Sequence, residues 1–130
     1  FHKALDTGSY TCFLGADRSL PMMYMEEAIR ATIAIMQAPA ENVKVRTSYN
    51  LGGISFSPAQ IASSIKSHLP NFTIDYAPDF RDSIAASWPN SIDDSAARRD
   101  WNWNSDFNLD KLTSVMIDGI RKKKVEPVTF

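Results

Sequence analysis

The residue patterns that support hydride transfer, hydrolysis and metal catalysis are missing from this sequence, and what it offers instead are side chains suited to lining a pocket. A tyrosine becomes a usable base when a lysine one helical turn further on lowers its phenol pKa. Tyr10, Tyr24, Tyr49 and Tyr76 are followed at that offset by Leu14, Ala28, Gly53 and Phe80. His2 and His68 stand apart from each other and from cysteine, so neither a metal site nor a histidine-centred triad is expected. Serines are plentiful, but no Gly-x-Ser-x-Gly elbow occurs. A pyrophosphate cradle needs a glycine-rich turn joining a strand to a helix start. Gly52-Gly53 follows a strand-like run, yet the next helix opens only at Ser57-Pro58 and the further spaced glycines are absent, so a plain turn is predicted.

Among the pocket-lining candidates, Arg81 can hold a carboxylate bidentately or brace its own loop through Asp79, Asp82 or Asp93. Trp88, in an irregular stretch before Pro89, is a large rigid surface able to exclude water from a closing site. Met23 and Tyr24 can face either a pocket or the core, whereas Trp101 and Trp103 read as packing anchors.

Periodicity and capping place these residues on a small set of elements. Phe1 to Leu5 reads as the end of a helix stopped by Gly8, and Ser9 to Leu14 as a strand followed by a turn over residues 15–19. Glu26 to Ala38 is a predicted helix with acids at its start, Pro39 at its end, and a Met25, Ile29, Thr32/Ile33, Met36 stripe assigned to the core. Val43 to Leu51 alternates as a strand. Ser57-Pro58-Ala59-Gln60 is a capping box opening a helix to about Leu69, with Ile61, Ile65 and Leu69 as its buried stripe. Phe72 to Tyr76 is a third strand and Pro78 to Asn90 a structured loop. Asp93 or Asp94 can cap a short helix over Ala96 to Asp100, and Asn108 a last helix from about Leu109 to Ile120 carrying Leu109, Leu112, Met116 and Ile120 on one face. Strands and helices mixed in this way predict a small α/β layer rather than a whole doubly wound sheet.

Composition narrows the partners. The 130 residues, 44% hydrophobic, fit one domain with a modest core, taken as residues 1–120 followed by a basic tail over 121–130. The 14 basic and 15 acidic side chains nearly balance and no basic face is interleaved with aromatics, so nucleic acid is not an expected partner. Arg121-Lys122-Lys123-Lys124 reads as a solvated helix end that complements the helix dipole. Cys12, the single cysteine, sits in an apolar run and reads as a buried structural thiol. No apolar stretch approaches the roughly 20 residues of a membrane span, and the first residues do not resemble a signal peptide. A soluble, intracellular protein without membrane contact is expected.

Three blocks carry a family resemblance. Residues 87–103, with Trp88-Pro89, Asp93-Asp94, Arg98 and Trp101-Asn102-Trp103, together with residues 20–33 (Leu-Pro-Met-Met-Tyr-Met-Glu-Glu-Ala-Ile-Arg-Ala-Thr-Ile) and residues 48–58 (Ser-Tyr-Asn-Leu-Gly-Gly-Ile-Ser-Phe-Ser-Pro), resemble the short-chain type of L-threonine 3-dehydrogenase. The likeness runs from Phe1 to about Ile120 and implies the small C-terminal substrate-binding portion of an extended short-chain dehydrogenase, with the Rossmann half absent from this chain. It implies NAD as cofactor, L-threonine as substrate and 2-amino-3-oxobutanoate as product. The NAD site and the catalytic tyrosine and lysine are implied upstream, so that the isolated chain is expected to be inactive. The upstream Rossmann domain is then a partner, with a homodimer as the intact assembly. A eukaryotic source implies the mitochondrial matrix and a bacterial one the cytoplasm.

Trp88, Arg81, Met23 and Tyr24 become the substrate-adjacent residues by the same resemblance. In related nucleotide-sugar epimerases and dehydratases the segment matching Leu20-Pro21-Met22 begins Arg-Asp-Phe, its arginine holding a substrate phosphate. Leu20 in that place argues for a small substrate without phosphate. Ala86 departs from the aspartate usual in the family, which weakens any polar contact there. The alternatives are a nucleotide-sugar epimerase or dehydratase relative, and a noncatalytic fragment that binds through exposed apolar surface.

Overall fold

The computed structural model describes residues 1–125, and its elements follow the local signals closely where those signals are short-range. In chain order they are α1 (His2–Asp6), β1 (Ser9–Cys12), β2 (Leu20–Met22), α2 (Met25–Gln37), β3 (Ile54–Phe56), α3 (Pro58–His68), β4 (Thr73–Tyr76), α4 (Phe80–Ala86), α5 (Ser95–Trp101) and α6 (Leu109–Val125). Gly8 takes a φ of 68°, the left-handed conformation that ends α1 and turns the chain into β1.

Two small sheets result. β1 and β4 pair in parallel, Ser9 beside Thr73 through Cys12 beside Tyr76, and β2 and β3 pair antiparallel, Leu20 opposite Phe56. The β2–β3 pair escaped the sequence reading because each strand has three residues and Pro21, which cannot donate to a ladder, interrupts the first. The capping box is present as read: the Gln60 amide donates to Ser57 Oγ at 3.4 Å, and the Ser57 amide donates to Gln60 Oε1 at 2.8 Å.

The hydrophobic residues form two clusters. Ala4, Ala62, Ile65 and Phe72 make one, under α1, α3 and the parallel strands. Ala31, Ala97, Trp101 and Trp103 make the other, where α2 meets α5. α6 lies along α3, and Ser64 Oγ donates to Thr113 Oγ1 at 2.7 Å between them. Its buried face is Leu112, Thr113, Ile117 and Ile120, rotated slightly from the stripe inferred through Leu109 and Met116.

Four expectations are corrected. Val43 to Leu51 forms no strand: Val43, Val45 and Tyr49 are half-buried in alternation, but no strand among the described residues lies beside them, and alternation without a partner makes no ladder. Residues 80–86, expected within a loop, form α4; the helix is short and points its apolar side chains outward, which hides its period. The apolar stripe of α2 is not core, since Met25, Ile29, Ile33 and Met36 are 69, 53, 49 and 79% exposed, while Glu27 and Ala31 on another face are buried. Finally, α6 continues through Arg121 to Val125, so the basic run forms its last turn; the rest of the expected tail, residues 126–130, lies outside the described residues.

Candidate functional site

The parallel strands β1 and β4 run side by side and end together at Cys12 and Tyr76. In parallel α/β sheets the carboxyl ends of the strands are where ligands bind, because the loops leaving them converge there. Here those loops are residues 13–19, leading from β1 to β2, and residues 77–79, leading into α4. Backbone bonds fix their approach: the Ala77 amide donates to Cys12 O at 2.8 Å and the Asp79 amide to Phe13 O at 3.2 Å.

Arg81 stands at this edge. Its guanidinium lies over the Phe13 ring, 3.5 Å from the centroid, and donates to Asp79 through Nε at 3.0 and 3.1 Å and through Nη2 at 2.6 Å. Among the three carboxylates suggested by sequence, Asp79 is therefore the brace. Asp82, next along, is engaged elsewhere: it accepts from the Gly15 amide at 2.9 Å and from Arg18 Nε and Nη2 at 3.1 and 3.0 Å. The Arg18 guanidinium beside it, helped by the Gly15 amide, holds the Asp82 carboxyl below the usual carboxylate range. No spacing signal links positions 18 and 82, and sequence reasoning missed this clamp.

Trp88 lies just past the end of α4 and is 58% exposed. Met23 packs against the second cluster, and Tyr24 stacks on Phe107 with ring centroids 4.8 Å apart. The four substrate-adjacent candidates thus sit on three different supports rather than around one cavity. A cavity of about 410 Å³ does exist, lined by Tyr10, Cys12, Leu20, Met22, Phe56 and Ile74 among others, but none of the four borders it. Its walls are mostly apolar, with His2, Lys3 and Arg18 also in the lining, and Cys12 is buried there as a free thiol.

The other residues of the 87–103 block are scaffold. Asp94 accepts from Gly52 N at 3.3 Å and from Arg98 Nε at 2.6 Å, which diverts its carboxylate from capping α5; Asp93 Oδ1 accepts the Ser95 amide instead. Asp100 accepts from Tyr49 Oη at 2.9 Å and from Arg99 Nε at 2.9 Å. Asn102 takes the left-handed conformation that closes α5, and the turn swings Trp103 beneath Gly52, whose carbonyl accepts its indole N–H at 3.1 Å. The buried Glu27 gathers Ser105 Oγ, the Asp106 amide and Arg30 Nη2. Trp101 and Trp103 are buried, as expected of anchors.

Gly52-Gly53 does not fit a pyrophosphate. The Gly52 amide is already given to Asp94, and a Cβ at Gly53 would stand 2.5 Å from Met22 O, so this pair serves close packing of backbone on backbone. Among the described residues no group of histidine, cysteine and carboxylate side chains could hold a metal, and no helix is long and apolar enough to cross a membrane.

Compared with known proteins, the fold is similar to the C-terminal part of epimerase-like dehydrogenases. No family model matches the chain. Solved structures do: a GalE-like L-threonine dehydrogenase from Cupriavidus necator is 52% identical with a TM-score of 0.86, over 92% of this chain and 43% of that one. An L-threonine dehydrogenase from Phytophthora infestans is 47% identical with a TM-score of 0.90, over 95% and 40%. The mitochondrial L-threonine 3-dehydrogenase of Bos taurus is 43% identical over 119 residues, which are 91% of this chain and 32% of that protein. The chain is similar to the C-terminal part of these L-threonine 3-dehydrogenases and spans about a third to two-fifths of their length.

Proposed function

We propose that this chain is the substrate-side portion of an NAD-dependent enzyme that oxidises the β-hydroxyl of L-threonine to give 2-amino-3-oxobutanoate. In this reading an upstream nucleotide-binding half supplies the cofactor and the tyrosine–lysine pair, and the chain described here supplies the cover over the amino acid. The observation that carries the reading is the likeness, along nearly the whole chain, to solved threonine dehydrogenases at 47 to 52% identity. Arg81 and Trp88, in and just past α4, stand on the substrate side in this reading, whereas Met23 and Tyr24 are committed to the second cluster and to Phe107. Arg81 works as a brace, because Asp79 already occupies its Nε and Nη2, and the Trp88 ring excludes water from a small ligand.

Two features of the structure support it. Leu20, at the position where nucleotide-sugar enzymes resembling this chain carry an arginine, is buried on β2 facing the apolar cavity. A guanidinium at position 20 would be desolvated on burial, and Arg18, which lines the same cavity, is already paired with Asp82. The second feature is the bare stripe of α2 beside the strand-patterned but unpaired residues 43–51. An apolar strip and an unpaired strand sequence on adjacent segments suit a sheet and helix layer contributed by the upstream half.

The test is expression of the full-length protein encoded around this segment, followed by steady-state NADH formation with L-threonine and, separately, by product analysis with UDP-glucose, because an epimerase or dehydratase returns the hydride to the sugar and releases no net NADH. Turnover with threonine and none with the nucleotide sugar is expected. Turnover of the nucleotide sugar alone would replace this reading with the epimerase alternative.

A further inference from the structure

α4 is a helix anchored by polar ties rather than by burial. Ala85 is its one buried residue and belongs to neither hydrophobic cluster. Phe80, Ile84 and Trp88, spaced four apart, are 71, 51 and 58% exposed. A helix of seven residues is marginal in water, so its far end is only as well placed as its first turn. That first turn is fastened to the loop leaving β1 by Asp82, which takes three donors from Gly15 and Arg18, and by Arg81 over Phe13.

We infer that Asp82 is a positioning residue for the threonine site: by clamping the base of α4 to Gly15 and Arg18 at the carboxyl end of β1, it fixes where Trp88 stands over the substrate. The inference rests on the function proposed above. Asp82 touches no substrate and acts through Trp88. Asp82 and Arg18 carry opposite charges at neutral pH, so the tie is a charged one and part-buried, with the Arg18 and Asp82 side chains 32 and 19% exposed. Charge-assisted bonds of this bidentate form fix geometry as well as energy.

The experiment uses the full-length enzyme and compares wild type, Asp82→Asn, Trp88→Ala and the double variant. Asp82→Asn is expected to raise the KM for L-threonine about fivefold to tenfold while kcat and the Kd for NAD stay within about twofold. In the Trp88→Ala background the same change should add little, because residues acting through one contact are not additive; a merely structural role would add its effect in both backgrounds. If Asp82→Asn does not fold, Arg18→Gln, which leaves the Gly15 amide on Asp82, applies the same test. A wild-type enzyme inactive on L-threonine would overturn the proposed function and this inference with it. An active wild type in which KM is unmoved, or in which the two substitutions act independently, would overturn the inference alone.

Discussion

Trp103 donates its indole Nε1–H to the carbonyl oxygen of Gly52 at 3.1 Å, tying the end of α5 to the glycine turn before β3. Both groups are buried, so the bond cannot be exchanged for one to water. Trp103→Phe keeps an aromatic body and removes the donor, leaving the carbonyl unsatisfied, which costs about 1 to 3 kcal/mol. Denaturant unfolding of the full-length protein should show that loss, with the KM for threonine unchanged. Stability equal to wild type would show that the bond contributes nothing net.

The two glycines of that turn should differ. A Cβ at Gly53 would stand 2.5 Å from the backbone oxygen of Met22, whereas at Gly52 the nearest atom, 2.9 Å away, is a side-chain oxygen of Asp94. Backbone in the paired β2 strand yields less readily than a carboxylate, although Asp94 is itself held by Arg98. Gly53→Ala is therefore expected to lower the Tm more than Gly52→Ala does, and the reverse order in thermal melts would contradict this packing.

Asp94 gives a pH dependence with a definite sign. Its hydrogen bond from Arg98, with the charge of that guanidinium and the Gly52 amide, holds the carboxyl below the usual range against the opposing effect of burial. A depressed folded-state pKa contributes stability that is complete above the unfolded value, about 3.9, and is lost as pH falls through the folded one. Asp94→Asn should be less stable than wild type at neutral pH, and the gap should narrow in unfolding measurements below about pH 4. A gap that stayed constant into acid would mean that ionisation of Asp94 is not what stabilises this junction.

The elements legible in sequence were those specified by neighbours along the chain. The Ser57 to Gln60 capping box, Gly8 after α1 and the Asn108 cap, which accepts the Lys111 amide at 2.9 Å, each depend on residues a few positions apart. What periodicity cannot supply is the identity of the covering partner. It marked the Ile29 and Ile33 face of α2 as apolar, and it marked residues 43–51 as alternating, but burial and pairing depend on what lies opposite. At the candidate site the sequence singled out Arg81 and Trp88, yet the Arg18 to Asp82 clamp joins residues 64 positions apart and leaves no local trace.

If the upstream half covers α2, then Ile33 is a core residue of the full-length protein despite its 49% exposure here. Ile33→Ala should then cost about 2 to 5 kcal/mol, as core truncations do. A change within about 0.5 kcal/mol, the usual range at a surface position, would mean that α2 stays uncovered.

Trp88→Ala separates a role in the site from a role in the fold. Truncating a buried tryptophan typically costs about 3 to 5 kcal/mol, but Trp88 is 58% exposed and outside both clusters. In the full-length enzyme the variant is expected to lose about tenfold in kcat/KM for L-threonine, roughly 1.4 kcal/mol of transition-state stabilisation. NAD affinity should be unchanged. Unchanged kcat/KM in a destabilised variant would remove Trp88 from the site.

If the chain contributes to threonine oxidation only together with an upstream nucleotide-binding half, NADH formation from NAD and L-threonine must depend on that half. In side-by-side assays of the full-length protein and of the chain of residues 1–130, turnover by the first and none by the second is expected. The second should also show no rise in Tm at millimolar NAD, because a ligand that bound its folded state would raise it. Threonine-dependent NADH formation by the 130-residue chain alone, or its absence from the full-length protein, would show that the two halves do not divide the reaction in this way.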